Sequence, residues 1–255
     1  MQFIAHRGES FDAPENTLAA FRLAWDRGCS AIELDIHQTG DGQLVCCHDA
    51  DTARCCGTRL TVANTSYREL RALDAGAWKA PQYAGERIPL LSEVLDTIPP
   101  GGVVFIEVKC GVEAIPELRR CVEASALAPS QVVLISFGAD VLRAAARALP
   151  GYQTLLLGCI ERPDDHFARE TICRASGFSG VDLSFAQPVT PQFIRALHDA
   201  GLQVYTWTVD DIAIACAQQC AGVNGITSNR AAWLEKMLTR REESRQTCAL
   251  FELQP

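Results

Sequence analysis

The sequence lacks any long hydrophobic segment. No apolar run approaches the roughly 20 residues that a helix needs to cross a bilayer. The N-terminus also lacks a basic stretch followed by a long apolar one, which is the pattern of a secretory signal peptide. We therefore expect a cytoplasmic protein with no stable membrane association.

Positive charge is scarce. The chain has 23 Lys and Arg residues against 31 Asp and Glu residues, and its formal net charge is -8. Such a balance argues against a nucleic-acid partner and against an anionic membrane surface. A small anionic substrate held by a few local cations is still compatible with it.

The twelve cysteines contain no Cys-x-x-Cys pair, the spacing on which many zinc sites are built. Cys216 and Cys220 lie four apart in a predicted helix and could share a ligand, but no second pair with zinc spacing accompanies them. Without a secretory pattern, most of the cysteines are interpreted as reduced, buried, small hydrophobic residues.

What the chain does contain is a regular alternation of short β-rich and amphipathic helical segments over 255 residues. Alternation of this kind predicts a parallel sheet, and about eight repeats in this length predict a single closed TIM (β/α)8 barrel. A doubly wound sheet is the alternative, but no G-x-G-x-x-G follows the first strand. Nine strand candidates occur, at residues 2–5, 31–36, 43–48, 103–109, 132–136, 153–157, 180–184, 203–208 and 225–227.

Two irregularities interrupt the alternation. The turn sequence TGDG at 39–42 predicts a tight hairpin, so that 43–48 runs antiparallel as an extra arm at the C-terminal mouth and returns His48 beside Glu33. Residues 49–89 are rich in Gly, Pro and polar residues, and we expect a small insertion folded over one end of the barrel. Residues 242–255 are expected to form a C-terminal tail.

Three carboxylates fall at strand ends. Glu33 and Asp35 are two apart in a strand and share one face, which would be the barrel lumen, while the intervening apolar residues face the helices. Glu107 and Lys109 repeat this arrangement in the fourth strand candidate. Active sites of such barrels lie at the C-terminal ends of the strands. Three buried carboxylates need compensation, and an all-oxygen set favours Mg²⁺ or Ca²⁺ over zinc.

His6 and Arg7 follow the first strand, and His48 ends the predicted hairpin arm. Two imidazoles suit general acid–base catalysis, and Arg7 with Lys109 could bind a phosphate. Together with a metal these groups suit phosphodiester cleavage. Taken singly, a histidine here could be a structural hydrogen bonder, and Arg7 could simply pair with Glu9 or Asp12. Gly8 is interpreted as a small residue that lets substrate approach the backbone.

These segments resemble the glycerophosphodiester phosphodiesterase family, whose ordered motifs extend across most of the chain. The resemblance rests on HRG (6–8), PENT (14–17), ELDI (33–36), TGDGQLVCCHD (39–49), IPLLSEVLD (88–96), IEVK (106–109), SF (136–137) and TWTVD (206–210). PENT by itself also reads as a helix start, with Asn16 or Thr17 as the cap. The sequence departs from the family at Gly40, Asn224, Ser228 and Asn229, outside the proposed metal and histidine set.

The resemblance implies a TIM barrel that hydrolyses small-molecule glycerophosphodiesters to an alcohol and sn-glycerol 3-phosphate with one divalent cation, Mg²⁺ or Ca²⁺, with Mn²⁺ also compatible. It assigns metal binding to Glu33, Asp35 and Glu107, acid–base catalysis to His6 and His48, phosphate binding to Arg7 and Lys109, and the pocket wall to Phe137 and Trp207.

Several alternatives stay open at this point. The nucleophile is either the 2-hydroxyl of the substrate's glycerol, giving a cyclic phosphate, or water, and either histidine could act first. A related barrel phosphodiesterase acting on lysolipids, in the manner of a phospholipase C or D, is a second enzyme class. A non-catalytic phosphoester-binding barrel is a third possibility.

Overall fold

A closed ring of parallel strands forms the centre of the fold in the computed structural model, which describes residues 1–158, 165–185 and 190–251. Eight strands form the ring in the order β1-β9-β8-β7-β6-β5-β4-β2, and pairing of β1 with β2 closes it. The predicted TIM barrel is therefore confirmed. The strands are β1 (Gln2–His6), β2 (Ala31–Gln38), β3 (Leu44–Cys46), β4 (Val103–Val108), β5 (Val132–Ser136), β6 (Gln153–Gly158), β7 (Gly180–Ser184), β8 (Gln203–Trp207) and β9 (Gly225–Ser228).

Helices alternate with the strands. Those of the described ranges are α1 (Leu18–Asp26), α2 (Ala53–Cys56), α3 (Tyr67–Arg71), α4 (Leu91–Leu95), α5 (Ile115–Ala124), α6 (Ala139–Ala148), α7 (Asp165–Ser176), α8 (Pro191–Asp199), α9 (Ile212–Ala221) and α10 (Ala231–Phe251). Helix α10 extends into the predicted tail, so residues 242–251 have helical backbone. The rest of that tail lies outside the described residues, as does the side chain of Cys248.

Side chains of the strands alternate between two apolar clusters. Ile32, Leu34 and Ile36 of β2 belong to the large cluster shared with the surrounding helices. A smaller cluster fills the lumen, where the Phe105 and Tyr205 rings meet edge to face with centroids 5.4 Å apart. This two-residue period is the one that directs Glu33 and Asp35 inward, as the sequence predicts.

The hairpin arm exists but is shorter than predicted. β3 runs antiparallel to β2, with Ile36 opposite Cys46 and Gln38 opposite Leu44. The ladder ends at Cys46, whose N–H donates to the Pro89 carbonyl at 2.9 Å. Beyond it, Cys47 N–H still donates to the Asp35 carbonyl at 3.1 Å, so His48 directly follows the last residue bonded to β2 and lines the same pocket as Glu33.

Residues 49–89 contribute no strand to the ring. Short helices and turns here enclose a separate apolar cluster that includes Val62, Leu70 and Ile88. Lys79 Nζ donates to the Ser10 carbonyl at 2.7 Å, which ties the segment to the loop after β1. It therefore packs beside the C-terminal ends of the strands.

No helix in the described ranges combines the length and apolar character needed to cross a membrane.

Candidate active site

A pocket of about 140 Å³ opens at the C-terminal ends of the strands. Eight of the nine site residues expected from the sequence line it, and the ninth, Asp35, is fully buried next to them. The structure therefore brings the whole predicted set together. The lining comprises His6, Arg7, Glu33, His48, Glu107, Lys109, Ile135, Phe137, Leu157, Asp182, Trp207, Thr208 and Thr227.

Three carboxylates form the most charged part of this site. Asp35 and Glu107 are in register on neighbouring strands, and Glu33 lies one inward position before Asp35. One oxygen from each of the three lies within 4.8 Å of the others. Burial and repulsion from Asp35 raise the pKa of Glu33 well above its usual range and raise that of Glu107 to about 7.

Both cations of the site pair with these carboxylates. Arg7 Nε is 3.0 Å from Asp35 Oδ2. Lys109 Nζ is 3.2 Å from Asp35 Oδ1 and 2.8 Å from Glu107 Oε1. Burial alone would raise the pKa of Asp35, but Arg7 and Lys109 hold it below the usual value. With three carboxylates against two cations, the ionised cluster carries one uncompensated negative charge.

The cluster has the properties expected of a divalent-cation site. Asp35 Oδ1 is buried and accepts no hydrogen bond, although Lys109 lies nearby. Oxygens within 4.8 Å of one another can share one ion at the roughly 2.0–2.6 Å distances of Mg²⁺ or Ca²⁺. Among the residues that the structure describes, this cluster is the one place where three or more His, Cys, Asp or Glu side chains lie close enough to hold a metal ion. Cys216 and Cys220 are not part of such a group.

The loop after β1 holds Arg7 in an unusual conformation. Its φ of 55° lies in the left-handed region, which directs the Arg7 N–H to Glu33 Oε2 at 2.9 Å. The guanidinium pairs with Glu15 as well as Asp35. Pairing of Arg7 with Glu9 or Asp12 is not observed, because Arg27 binds both of those carboxylates.

Gly8 has a packing role that the sequence did not suggest. Its φ is 80°, and a Cβ built on it would lie 2.6 Å from the Ala20 carbonyl carbon on α1. Close packing of the loop against this helix therefore requires glycine, whatever approaches from the pocket.

His6 is oriented by residues after β9. Its Nδ1 is 2.7 Å from Asn229 Oδ1, while Asn229 Nδ2 donates to Asp210 at 2.6 Å. Because Asp210 accepts from the amide nitrogen, the amide oxygen faces His6, and Nδ1 of the ring is the donor. Nε2 is left facing Glu33 at 4.0 Å. Burial and the neighbouring Arg7 lower the pKa of His6 to about 4, so the ring is neutral at pH 7.

His48 has a carboxylate partner instead of an amide. Its Nδ1 is 2.7 Å from Asp49 Oδ1, and Arg54 Nε donates to the other oxygen of Asp49 at 2.7 Å. Arg54 also binds Glu15, which in turn binds Arg7. The insertion thus supplies the groups that orient His48 and connects them to Arg7.

Asn16 contacts the carboxylate cluster, although the sequence suggested only a capping role. Its Nδ2 donates to Asp35 Oδ2 at 2.8 Å, and its Oδ1 accepts from the Asp35 N–H. Thr17 is the N-cap of α1, accepting a hydrogen bond from the Ala20 N–H. The PENT motif therefore both starts a helix and supports Asp35, and its resemblance to a family motif was the available signal.

Two aromatic rings form one wall of the pocket. Phe137 and Trp207 meet edge to face with centroids 5.8 Å apart, and Phe137 is 52% exposed at the mouth. Trp207 Nε1 donates to the Asp182 carbonyl at 3.2 Å, which fixes its ring. The other three histidines, His37, His166 and His198, have no role in the sequence motifs and would be surface residues on that ground. His37 is half-buried, with Nε2 3.2 Å from the His48 carbonyl oxygen. His198 is exposed as expected, whereas the side chains of Cys159 and His166 lie outside the described residues.

Relatives share this architecture over nearly the whole chain. A glycerophosphodiester phosphodiesterase of Caldanaerobacter subterraneus subsp. tengcongensis is 32% identical over 232 residues, 89% of this chain and 93% of the relative. A Bacillus subtilis glycerophosphodiester phosphodiesterase is 28% identical over 89% of this chain and 82% of the relative. The solved structure of an Oleispira antarctica phosphodiesterase in complex with the product sn-glycerol-3-phosphate has a TM-score of 0.87 and 26% identity, covering 94% and 97% of the two chains.

The model of the Glycerophosphoryl diester phosphodiesterase family matches residues 6–232. That span begins at His6 and includes each residue of the pocket. The enzyme class predicted from the motifs is thereby confirmed. The chain belongs to the glycerophosphoryl diester phosphodiesterase family.

Proposed function

We propose that this protein hydrolyses glycerophosphodiesters to an alcohol and sn-glycerol 3-phosphate, using one divalent cation held by Glu33, Asp35 and Glu107. The observation that carries the proposal is the convergence of this cluster of three carboxylates and two imidazoles on one pocket. The ligands are all oxygens, which favours Mg²⁺, Ca²⁺ or Mn²⁺. When bound, the cation would neutralise charge that develops on the phosphate oxygens.

Charge balance supports a phosphodiester as the substrate. The ionised cluster with Arg7 and Lys109 carries one net negative charge, and a divalent cation would change this to one net positive charge. A phosphodiester monoanion then gives a neutral assembly. Arg7 and Lys109 lie in the pocket lining, and we assign them to phosphate binding.

We assign the role of general base to His6. Its Nδ1 donates to Asn229, so the lone pair of Nε2 is directed into the pocket, and burial keeps the ring neutral. Nε2 would accept the proton of the attacking group as that group approaches phosphorus. The attacking group is either the 2-hydroxyl of the substrate's glycerol or a water molecule.

We assign the role of general acid to His48. Asp49 fixes its Nδ1 as a donor and can compensate positive charge on the ring, which a proton donor carries before transfer. Nε2 would then pass its proton to the departing alcohol oxygen. Arg54 of the insertion at 49–89 donates a hydrogen bond to Asp49, the partner of His48. We therefore assign the insertion to one catalytic domain that spans the whole chain.

The proposed function is tested by incubating the purified protein with glycerophosphocholine, glycerophosphoethanolamine and glycerophosphoglycerol in Mg²⁺, Ca²⁺ or Mn²⁺. We expect release of sn-glycerol 3-phosphate, detected enzymatically, and loss of about 10²–10⁴ in rate for His6→Ala and for His48→Ala. Near-normal turnover by both variants would contradict the assigned roles. The exposed His198→Ala is the matched control and is expected to retain activity.

The same assay separates the rival functions. Preferential cleavage of long-chain lysolipids would identify a lipid phosphodiesterase, and binding of glycerophosphodiesters without turnover in any metal would identify a binding protein. We propose a small, water-soluble substrate, since the net charge of -8 disfavours an anionic membrane surface. We also propose a cytoplasmic location.

A further inference from the structure

Asp182 is a buried carboxyl for which the proposed mechanism has no role. It lies on β7 between Leu157 and Tyr205 of the neighbouring strands and is 1% exposed. Its Oδ1 accepts no hydrogen bond, and no ion pair reaches the carboxyl from any residue the structure describes. Burying a polar group without a partner is strongly unfavourable, so Asp182 carries a cost that the folded chain alone does not offset.

The Asp182 carboxyl nevertheless lies at a pocket that could hold a ligand. Asp182 lines the pocket together with the apolar Ile135 and Leu157, whereas the carboxylate cluster of Glu33, Asp35 and Glu107 does not include it. It is thus separate from the proposed metal ligands, at the inner end of the same pocket. Burial and the charge of Glu107 raise the pKa of Asp182 well above its usual range, so a neutral carboxyl there could donate as well as accept a hydrogen bond.

We propose that Asp182 is a specificity-determining residue that hydrogen-bonds a hydroxyl of the substrate's glycerol half at the closed end of the pocket. This inference rests on the proposed function and deepens it. The two ends of the pocket differ in exposure, and the two halves of the substrate differ in whether their size is fixed or variable. The inner end is buried in the barrel, which suits a small fragment of fixed size, while the outer end beside the exposed Phe137 leaves room for a variable alcohol.

The chemistry of the inner end also matches glycerol and not a plain alkyl group. Ile135 and Leu157 present apolar surface to the carbon chain, while the Asp182 carboxyl lacks a partner that a hydroxyl would provide. A site built around such a group discriminates strongly against an analogue without the hydroxyl, because the carboxyl is then left buried and unpaired.

The test compares two ligands of equal carbon length, sn-glycerol 3-phosphate and n-propyl phosphate, by calorimetric binding in Mg²⁺. We expect wild type to bind the glycerol compound about 5- to 150-fold more tightly, the range for one hydrogen bond to a buried polar group. Asp182→Asn, which keeps donor and acceptor atoms, should retain most of this ratio. Asp182→Leu, of similar shape but apolar, should lose most of this ratio and keep only the part that comes from the hydroxyl that Asp182 does not bind.

Two outcomes would overturn the inference: equal binding of the two ligands by wild type, or an unchanged ratio in Asp182→Leu. Asp182→Ala replaces the leucine variant if that variant does not fold. A purely structural role would lower the urea midpoint of Asp182→Leu without changing the ligand ratio, whereas our account expects the midpoint to rise. Failure of the proposed function is distinguishable, because wild type would then release no sn-glycerol 3-phosphate from glycerophosphocholine, whatever its binding ratio.

Discussion

Replacement of Glu107 by Gln should stabilise the metal-free protein at neutral and alkaline pH. Glu107 is buried beside Asp35, and its pKa is raised from 4.5 to about 7. Below pH 4.5 Glu107 is protonated in both the folded and the unfolded chain, and its contribution to the free energy of unfolding is fully present. This contribution is lost as pH rises through 7, because the buried carboxyl must then ionise in the folded chain. At 1.36 kcal/mol for each tenfold change in acidity, the ionised carboxylate costs about 3 kcal/mol at pH 9.

The assay is urea unfolding in EDTA at pH 4, 7 and 9. Because glutamine resembles the neutral acid, the gain in unfolding free energy for Glu107→Gln should be near zero at pH 4 and rise toward about 3 kcal/mol at pH 9. Glu123→Gln is the control, since Glu123 is exposed and only pairs with Arg119, and we expect a change below about 1 kcal/mol. A Glu107→Gln protein less stable than wild type in EDTA at pH 9 would refute the reasoning.

Addition of metal should make wild type more stable to urea than Glu107→Gln, the reverse of their order in EDTA. At a Mg²⁺ concentration 1,000 times its dissociation constant, wild type should gain about 4.1 kcal/mol, which exceeds the lead of about 3 kcal/mol that Glu107→Gln has in EDTA. Glu107→Gln lacks one of the three carboxylates and should gain much less. Equal stabilisation of both proteins by Mg²⁺ would place the ion elsewhere.

Three further predictions follow from the site. His48→Ala should lose about 10²–10⁴ in rate on glycerophosphocholine but far less on a p-nitrophenyl phosphodiester, whose leaving group needs no acid, and equal losses on both substrates would argue against His48 as the acid. At a metal concentration that stays saturating over the whole pH range and so keeps Glu33 and Glu107 ionised, the activity of wild type should persist to about pH 5 and fall only near pH 4, because His6 must be neutral and its pKa is lowered to about 4; an acid limb at pH 6.5 under these conditions would contradict this. Gly8→Ala should destabilise the protein to urea by several kcal/mol, about 3 or more, whereas Gly28→Ala, also at positive φ but with no atom within 4 Å of the added Cβ, should lose only about 1–2 kcal/mol; similar losses would show that contact with Ala20 matters little.

The barrel and the carboxylate cluster could be predicted from sequence because each depends on a regular pattern along the chain. These patterns are the alternation of strands and helices and the two-residue period of side chains in a strand. Glu33 and Asp35 are two residues apart in a strand, and that spacing alone places them on one face. Parallel strands that end at the same edge then bring Glu107 to them. No knowledge of the loops was needed for this step.

The groups that orient the histidines could not be predicted in this way. Asn229 reaches His6 from the loop after β9, and Arg54 reaches Asp49 from a short helix in the insertion. These contacts depend on loop conformations with no periodic signal. Asp182 shares the inward phase of its strand with Gly180 and Ser184, but the sequence alone does not show that its carboxyl lacks a partner.

The most direct test of this account is a titration of metal into EDTA-treated protein while sn-glycerol 3-phosphate release from glycerophosphocholine is followed. We expect no release without metal and a rate that rises to saturation as one divalent cation binds per chain. The same titration of a Glu33→Gln, Asp35→Asn and Glu107→Gln triple variant should give neither binding nor turnover. Undiminished release in EDTA, or no release with Mg²⁺, Ca²⁺ or Mn²⁺, would contradict the account.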